Sequence, residues 1–415
     1  MAEISYREPK VSVAELPANP EHDDWGATEA TVYNTRISGD PEGKSSLGIW
    51  KAAKEEMSPD ELKENERKFI KDTLAKQGHI SAFYQADIGL NYEIPRSATL
   101  YFCSFDHPKY LQQSQRYTEA KDFISPNVSD GVNELFAKQS KLYNEMIDTD
   151  IPKEDARYIL PLGTAATHLH QKTNLAGLMN IHRNLKSENT EIPDVVEDVF
   201  YEAINELNKK DPLLFNEENM DLLIESGKGY PVANMFCEEN KWVSEVLDDY
   251  NVEDIVETFS YSIDQELKDE SRNLNDEAMS FVNLSNDPER VDGYVTSMSL
   301  SAWHQFMRND TVKNAVESLY DAAEKGRKIV PSTVEKSSFE EEFVDLVGES
   351  MELYHNRKKK VGKANAAEVI PHCLDLGIVF SLDGFNRQRG FMPDRTQEAA
   401  QWEIRGIARK IDSEL

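Results

Sequence analysis

Cysteine is scarce. Cys103, Cys237 and Cys373 stand far apart, are odd in number, and none belongs to a Cys-x-x-Cys pair. A disulfide framework and a cysteine zinc cluster are therefore not expected, and the default compartment is a reducing cytoplasm. Long apolar runs are missing as well. No stretch approaches the roughly 18 residues that cross a bilayer, so no membrane span is expected. Residues Met1 to Lys10 lack a basic patch followed by an apolar stretch, so no signal peptide is expected either. The third deficit is positive charge: 46 Lys and Arg face 76 Asp and Glu, a formal charge of -30. A duplex-binding protein needs a positive surface to displace counterions, so neither nucleic acid nor an anionic membrane is an expected partner. Such a charge favours solubility, and salt screens its self-repulsion.

Apolar residues make up 39% of the chain and charged residues 29%, which is a globular composition. The 415 residues suffice for two to three domains of about 150 residues. Residues 1 to about 50 are rich in Pro, Gly and acids and read as an extended arm. Ser58-Pro59-Asp60-Glu61 has the capping-box spacing with Pro at the first turn and opens a helix to about Gln77. Phe83 to Cys103, with breaks at Gly89 and Pro95, predicts two strands. Apolar spacing predicts helices over Ser129–Ile147, Pro193–Lys209, Thr311–Lys325, Ser338–Lys360 and Gln397–Ile411, and alternation predicts a strand over Val291–Ala302. Gly227, Gly229, Pro212 and Pro231 mark a connecting segment. The class is α+β: two fused copies, each a small mostly antiparallel sheet with several long helices. The expected division is residues 1–210 as a first copy with its arm, 211–232 as linker, and 233–415 as a second, more divergent copy.

The copies are suggested by an internal echo. Tyr101 to Tyr117 and Trp303 to Tyr320 each read as a strand, a short polar turn and then a helical segment containing Ser114 or Ser318. An apolar-Pro step follows in each, Ile159-Leu160-Pro161 and Val369-Ile370-Pro371. The serines and the prolines repeat at nearly the same offset, about half the chain, and agreement of independent landmarks favours duplication.

Several motifs carry a resemblance to a known family. Gly78–Phe83 (GHISAF), Gln112–Tyr117 (QQSQRY), Ala156–Leu162 (ARYILPL), Thr173–Asn180 (TNLAGLMN) and Ala399–Arg405 (AAQWEIR) occur in this order. Together they resemble the flavin-dependent thymidylate synthases. In a single-copy member the Ser-Gln-Arg-Tyr and Ala-Gln-Trp-Glu elements lie much closer together, so the resemblance implies two fused copies that each keep part of the pattern. Departures are clear. The family's Arg-His-Arg triplet is Ser104-Phe105-Asp106 in the first copy and Arg308-Asn309-Asp310 in the second. Tyr84 and Gln85 replace a Glu and a His, Ala176 replaces an Arg, and Ala367 replaces the Arg before the second apolar-Pro step.

A nucleoside monophosphate needs cationic forks and hydroxyl or amide donors. Ser114, Gln115 and Arg116 are adjacent and read as a helix entry, whose N–H groups would add positive potential. The resemblance places Ser114, Arg116, Arg157 and Arg395 in contact with the nucleotide, with Gln305, Arg308 and Gln401 at the same site. The losses in the two copies are complementary, so one composite pocket between the halves is expected. For the flavin the resemblance implies Gln112, Asn174, Asn180 and Arg308. The implied reaction is reductive methylation of dUMP to dTMP, with FAD, NADPH and methylene-tetrahydrofolate. Two chains would form a homodimer that mimics the family's tetramer. The runner-up reading is a catalytically inactive relative that binds a nucleotide or serves as an assembly partner; the broken triplets favour it. His168-Leu169-His170, read as helical, would point its rings apart, and no metal site is expected.

Overall fold

The computed structural model describes residues 8–73, 79–105, 108–120, 130–164, 167–188, 190–225, 234–237, 243, 245, 247, 256–261, 291–309 and 311–414. They fall into two compact units. The first comprises Met1–Ala137, Leu162–Val232 and Ala364–Glu368; the second comprises Lys138–Pro161, Ala233–Lys363 and Val369–Leu415. Each unit therefore takes one short segment from the other half of the chain.

The first unit is built on an antiparallel sheet of β1 (Lys10–Glu15), β2 (Ile88–Ile94), β3 (Lys109–Gln112) and β4 (Thr167–Thr173), in the order β1-β2-β4-β3. Strand alternation sends Ile88, Leu90, Tyr92 and Ile94 into the core. The expected second strand after Pro95 is instead helix α4 (Arg96–Phe102), whose seven residues are all buried. A uniformly buried segment carries no period, so its apolar residues read equally well as strand. Helices α1 (Ala27–Arg36), α2 (Ser46–Glu56) and α3 (Pro59–Lys71) occupy the stretch read as arm and first helix. The Ser58–Glu61 capping box forms as the sequence predicts, with the Ser58 N–H donating to Glu61 Oε2 at 2.9 Å. Helix α5 (Asp130–Ile147) begins in this unit and ends in the second.

Helix α7 (Leu175–Leu185) starts where the Asn174 side chain accepts the Gly177 N–H at 3.1 Å. Helix α8 (Asp194–Asn208) buries Val195, Val196, Val199, Phe200, Ala203, Ile204 and Leu207, a stripe at helical spacing that packs against the sheet. The stretch read as linker contains a further helix, α9 (Glu217–Glu225), which packs on α7 through buried Met220, Leu222 and Leu223.

The second unit repeats the plan. Strands β5 (Val256–Tyr261), β6 (Val291–Ser299), β7 (Lys313–Val316) and β8 (Asp375–Leu382) are antiparallel in the order β5-β6-β8-β7. Short helix α6 (Lys153–Ala156) comes from the first half of the chain. Ser299 ends β6 and caps α10 (Leu300–Phe306), so the expected strand to Ala302 stops three residues early. The Thr311–Lys325 stretch, expected as one helix, is β7 followed by α11 (Leu319–Lys325), which Ser318 caps. The remaining helices are α12 (Ser332–Glu335), α13 (Glu340–Ala366), α14 (Gly384–Gln388), α15 (Phe391–Arg395) and α16 (Trp402–Glu414). Helix α13 breaks at Gly362, whose φ of 80° is open to glycine, next to the point where the chain passes from the second unit to the first.

The two sheets receive their helices in the same way. In the first unit the Arg96 and Ser97 N–H groups donate to the Thr164 and Leu162 carbonyls at 3.2 and 3.1 Å. In the second the Leu300 and Ser301 N–H groups donate to Leu374 and His372 at 2.9 and 3.2 Å. Within the second unit the two apolar-Pro steps pair with each other, through an antiparallel bridge between Pro161 and Pro371. Cys103, Cys237 and Cys373 are buried and form no disulfide with one another. Among the described residues no helix is long and apolar enough to cross a membrane.

Candidate functional site

The first unit carries six of the expected residues. Gln112 ends β3, and Ser114, Gln115 and Arg116 follow it. They do not open a helix. Tyr117 and Thr118 donate their N–H groups to the Ser114 carbonyl at 3.2 and 3.0 Å, which closes a single turn, so the helix-entry potential is absent here. The Ser114 hydroxyl accepts the Arg116 N–H at 3.3 Å, and the Arg116 guanidinium lies 5.5 Å from the Tyr117 ring centre. Buried Gln115 accepts a hydrogen bond from Arg96 Nε at 3.0 Å, while its own Nε2 is buried with no partner among the described residues. Arg96, buried in the first turn of α4, is a cation that the strand reading of this segment concealed. Asn174 is occupied as the cap of α7, and Asn180 lies half-buried on that helix.

Beside the GHISAF element lies a cleft of 510 Å³ lined by Arg36, Ser38, Phe69, Thr73, His79 and Ser81, among others. Arg36 sits 5.2 Å from the Tyr33 ring centre and 4.7 Å from that of Phe69 and donates to Asn65 Oδ1 at 2.6 Å. Sequence reasoning missed it because α1 was read as part of an extended arm. A larger groove of 1130 Å³ runs between β1, β2 and α8. Its charged lining is Lys10 against Glu8, Glu93, Asp198 and Glu202, the wrong sign for a nucleotide. Burial, with Asp194 and Glu197 nearby, pushes the Asp198 carboxyl up. His168 and His170 lie on strand β4, not a helix, so both rings project to one sheet face; His170 Nδ1 is 2.8 Å from Asn91 Oδ1. Among the described residues no group of three His, Cys, Asp or Glu could hold a metal ion.

The second unit carries the other five, Arg157, Gln305, Arg308, Arg395 and Gln401. Arg157 is buried in the turn after α6, where its Nε donates to the Glu154 carbonyl at 3.1 Å. The neighbouring Tyr158 ring stacks on Trp402, with centroids 6.0 Å apart and planes at 20°. Its hydroxyl donates to Glu403 and accepts from Gln401 Nε2 at 2.9 Å. Gln401 Oε1 accepts the Ile404 N–H at 3.0 Å. With both ends of its amide engaged and 1% of its surface exposed, Gln401 faces inward and braces Tyr158.

Glu403 in turn accepts the Ser299 N–H at 2.8 Å and the Ser299 hydroxyl at 2.5 Å. Burial pushes its carboxyl up, and the hydrogen bonds from Ser299 and Tyr158 draw it part of the way back. Burial also holds the Tyr158 phenol far above its ordinary range, and the Glu403 charge adds to this. Beyond α10, Arg395 donates through Nε and Nη2 to one acceptor, Asn309 Oδ1, at 3.2 and 2.6 Å. Asn309 is the middle residue of the altered triplet. Arg308 before it is exposed, and Gln305 is half-buried with its Nε2 unpartnered among the described residues.

A family model described as thymidylate synthase complementing protein matches residues 23–210 and 292–415. The chain belongs to the flavin-dependent thymidylate synthase family. No curated protein matches it. Among solved structures it is similar to a UMP/dUMP methylase, PolB from Streptomyces cacaoi. The form bound with 5-Br dUMP is 16% identical, with a TM-score of 0.41, over 53% of this chain and 97% of that one. The form bound with 5-Br UMP is 17% identical, with a TM-score of 0.38, over 54% and 98%.

The family is flavin-dependent. A dinucleotide flavin brings a diphosphate, which asks for a cationic fork and hydroxyl donors. Around the 510 Å³ cleft Arg36, Ser38, Thr73 and Ser81 offer a cation and three hydroxyls, beside the Asp40 carboxylate. Of the expected flavin residues, Gln112, Asn174 and Asn180 offer amides in the same unit, the Asn174 Oδ1 capping α7, and Arg308 belongs to the other unit.

Proposed function

We propose that the chain is a tandem, divergent flavin-dependent thymidylate synthase that converts dUMP to dTMP. Its substrate site combines Arg157 from the first half of the sequence with Gln305, Arg308 and Arg395 from the second. The observation that carries this reading is the docking of the ARYILP element on the AQWEIR element within one unit. Tyr158 contacts Gln401, Trp402 and Glu403 there, more than 240 residues along the chain. Duplication is supported by the matching strand orders, the matching helix-start hydrogen bonds and the Pro161–Pro371 pairing.

In this reading the guanidinium groups of Arg157 and Arg395 take the phosphate or the developing charge on the uracil, and the Gln305 amide orients the base. Fixed donors in a site that excludes water cost no reorganisation when that charge forms. Ser114 and Arg116 offer the same donor chemistry in the first unit. All three cysteines are buried, and burial pushes the Cys373 thiol up to about 12, so none is placed as a thiolate nucleophile. Arg36, Ser38, Thr73 and Ser81, with Gln112 and Asn180, would hold the FAD. When bound it supplies hydride chemistry, with NADPH as reductant and methylene-tetrahydrofolate as carbon donor.

The second reading is an inactive relative that still binds a nucleotide. The lost triplets favour it, because Asn309 is tied to Arg395 and offers no charge of its own. Purified protein incubated with FAD and desalted, then assayed for dUMP-dependent NADPH oxidation, separates the two. Retained flavin with dUMP-dependent oxidation supports the synthase. A colourless protein that binds dUMP supports the inactive relative.

A further inference from the structure

We propose that Glu403 is a positioning residue for the substrate site, setting the placement of Arg157 and of the α10 segment against the last helix; this rests on the reading of that site above. Glu403 sits in the first turn of α16 and is 8% exposed. Its carboxylate joins three chain segments. The first is the turn of Arg157 and Tyr158, through the Tyr158 hydroxyl. The second is the β6–α10 junction, through both the N–H and the hydroxyl of Ser299. The third is its own helix, which follows the Arg395 segment and is preceded by Gln401, whose amide stands 3.4 Å away.

Each segment carries or adjoins one of the proposed substrate groups: Arg157 on the first, Gln305 and Arg308 along and beyond α10 on the second, Arg395 ahead of the third. Ser299 also caps α10 by accepting the Ala302 N–H at 3.1 Å, so the direction of that helix depends on the side chain Glu403 grips.

Two features separate this from ordinary packing. No cation pairs with Glu403 among the described residues; every contact it makes is a hydrogen bond from a neutral group. A buried carboxylate held this way stabilises a fold no better than a well-packed apolar residue would. What it does provide is direction, because its two oxygens receive four donors from fixed places. Removing it leaves the Ser299 N–H buried without its acceptor and releases Tyr158, and with it Arg157, from α16.

The test compares wild type with Glu403→Leu, Glu403→Gln and Glu403→Asp. Gln keeps the length and can return the network with donors reversed, since the Ser299 and Tyr158 hydroxyls both accept as well as donate. Asp is one methylene short. Circular dichroism establishes folding, calorimetry gives the dUMP Kd, and phenylglyoxal labelling with peptide mapping reports access to Arg157. In folded Leu or Asp variants we expect a Kd at least about tenfold weaker and labelling of Arg157, which burial should protect in wild type; Gln should stay within about threefold of wild type and remain protected. A folded Leu or Asp variant with wild-type Kd and a protected Arg157 overturns the proposal. If Leu does not fold, Asp carries the comparison. If wild type itself binds no dUMP, the substrate reading fails, and the labelling alone decides the positioning role: exposure of Arg157 in the variant supports it, unchanged protection overturns it.

Discussion

Replacing Glu66 by Gln should stabilise the protein above neutral pH and leave it unchanged in acid. Glu66 lies on α3 with 1% of its surface exposed, and its carboxyl is pushed from 4.5 up to about 7. Burial is the main cause, and the charge of Glu29 adds to it; Tyr33 and Arg36 pull the other way, and Asp211 pushes up again. A raised carboxyl holds its proton in the native state while the unfolded chain releases it near the ordinary value. Stability therefore falls as pH rises from about 4.5 to about 7, and the loss is complete above that window. At 1.36 kcal/mol per unit, the shift amounts to about 3 kcal/mol. Glutamine fills the same space without a proton to lose. For units of this size 1 kcal/mol moves Tm by roughly 2–4 °C, so Glu66→Gln should melt roughly 6–12 °C higher than wild type at pH 8 and within about 2 °C of it at pH 4.5. Thermal unfolding at the two pH values, followed by circular dichroism, measures this. A variant that melts with wild type at pH 8, or differs from it equally at both pH values, refutes the assignment of a buried, proton-holding carboxyl.

Further outcomes follow from other contacts. Asn309→Ala removes the acceptor that Arg395 Nε and Nη2 share and should weaken dUMP binding at least about tenfold, from the 1.5–3 kcal/mol typical of hydrogen bonds to a charged group; an unchanged calorimetric Kd would detach Arg395 from the site. Glu317 is fully buried between Lys325 at 2.8 Å, Arg327 at 2.5 Å and the Gly377 N–H at 3.0 Å. Glu317→Ala should cost about 3 kcal/mol in denaturant unfolding, because Lys325 and Arg327 lose this carboxylate, Arg327 keeping Asp375 at 3.5 Å, and the Gly377 N–H loses its acceptor. Ser58→Ala breaks the capping box of α3 and should cost about 1 kcal/mol by the same measurement.

The sequence carried the fold class and the short motifs further than it carried their assembly. Caps were legible because they depend on neighbours three residues apart, as Ser58 and Glu61 do. Arg96–Phe102 was not, because a segment buried on every side shows no helical period, and that misreading hid Arg96. The β7–α11 stretch failed for a related reason: a four-residue strand is shorter than the window in which a period can be read. The orientation of His168 and His170 reversed once their segment proved to be a strand. Motif matching found Gln401 but could not show that it faces inward, since its partner Tyr158 is 243 residues away. The same distance conceals the exchange by which Arg157 enters the second unit.

The most direct test of the central claim is dTMP formation from dUMP with methylene-tetrahydrofolate, FAD and NADPH, measured for wild type and for Arg395→Gln. The account predicts dTMP from wild type and a loss of at least about a hundredfold in kcat/KM for the variant, as for removal of a donor to developing charge. Wild-type protein that makes no dTMP, or an Arg395→Gln variant as active as wild type, would contradict it.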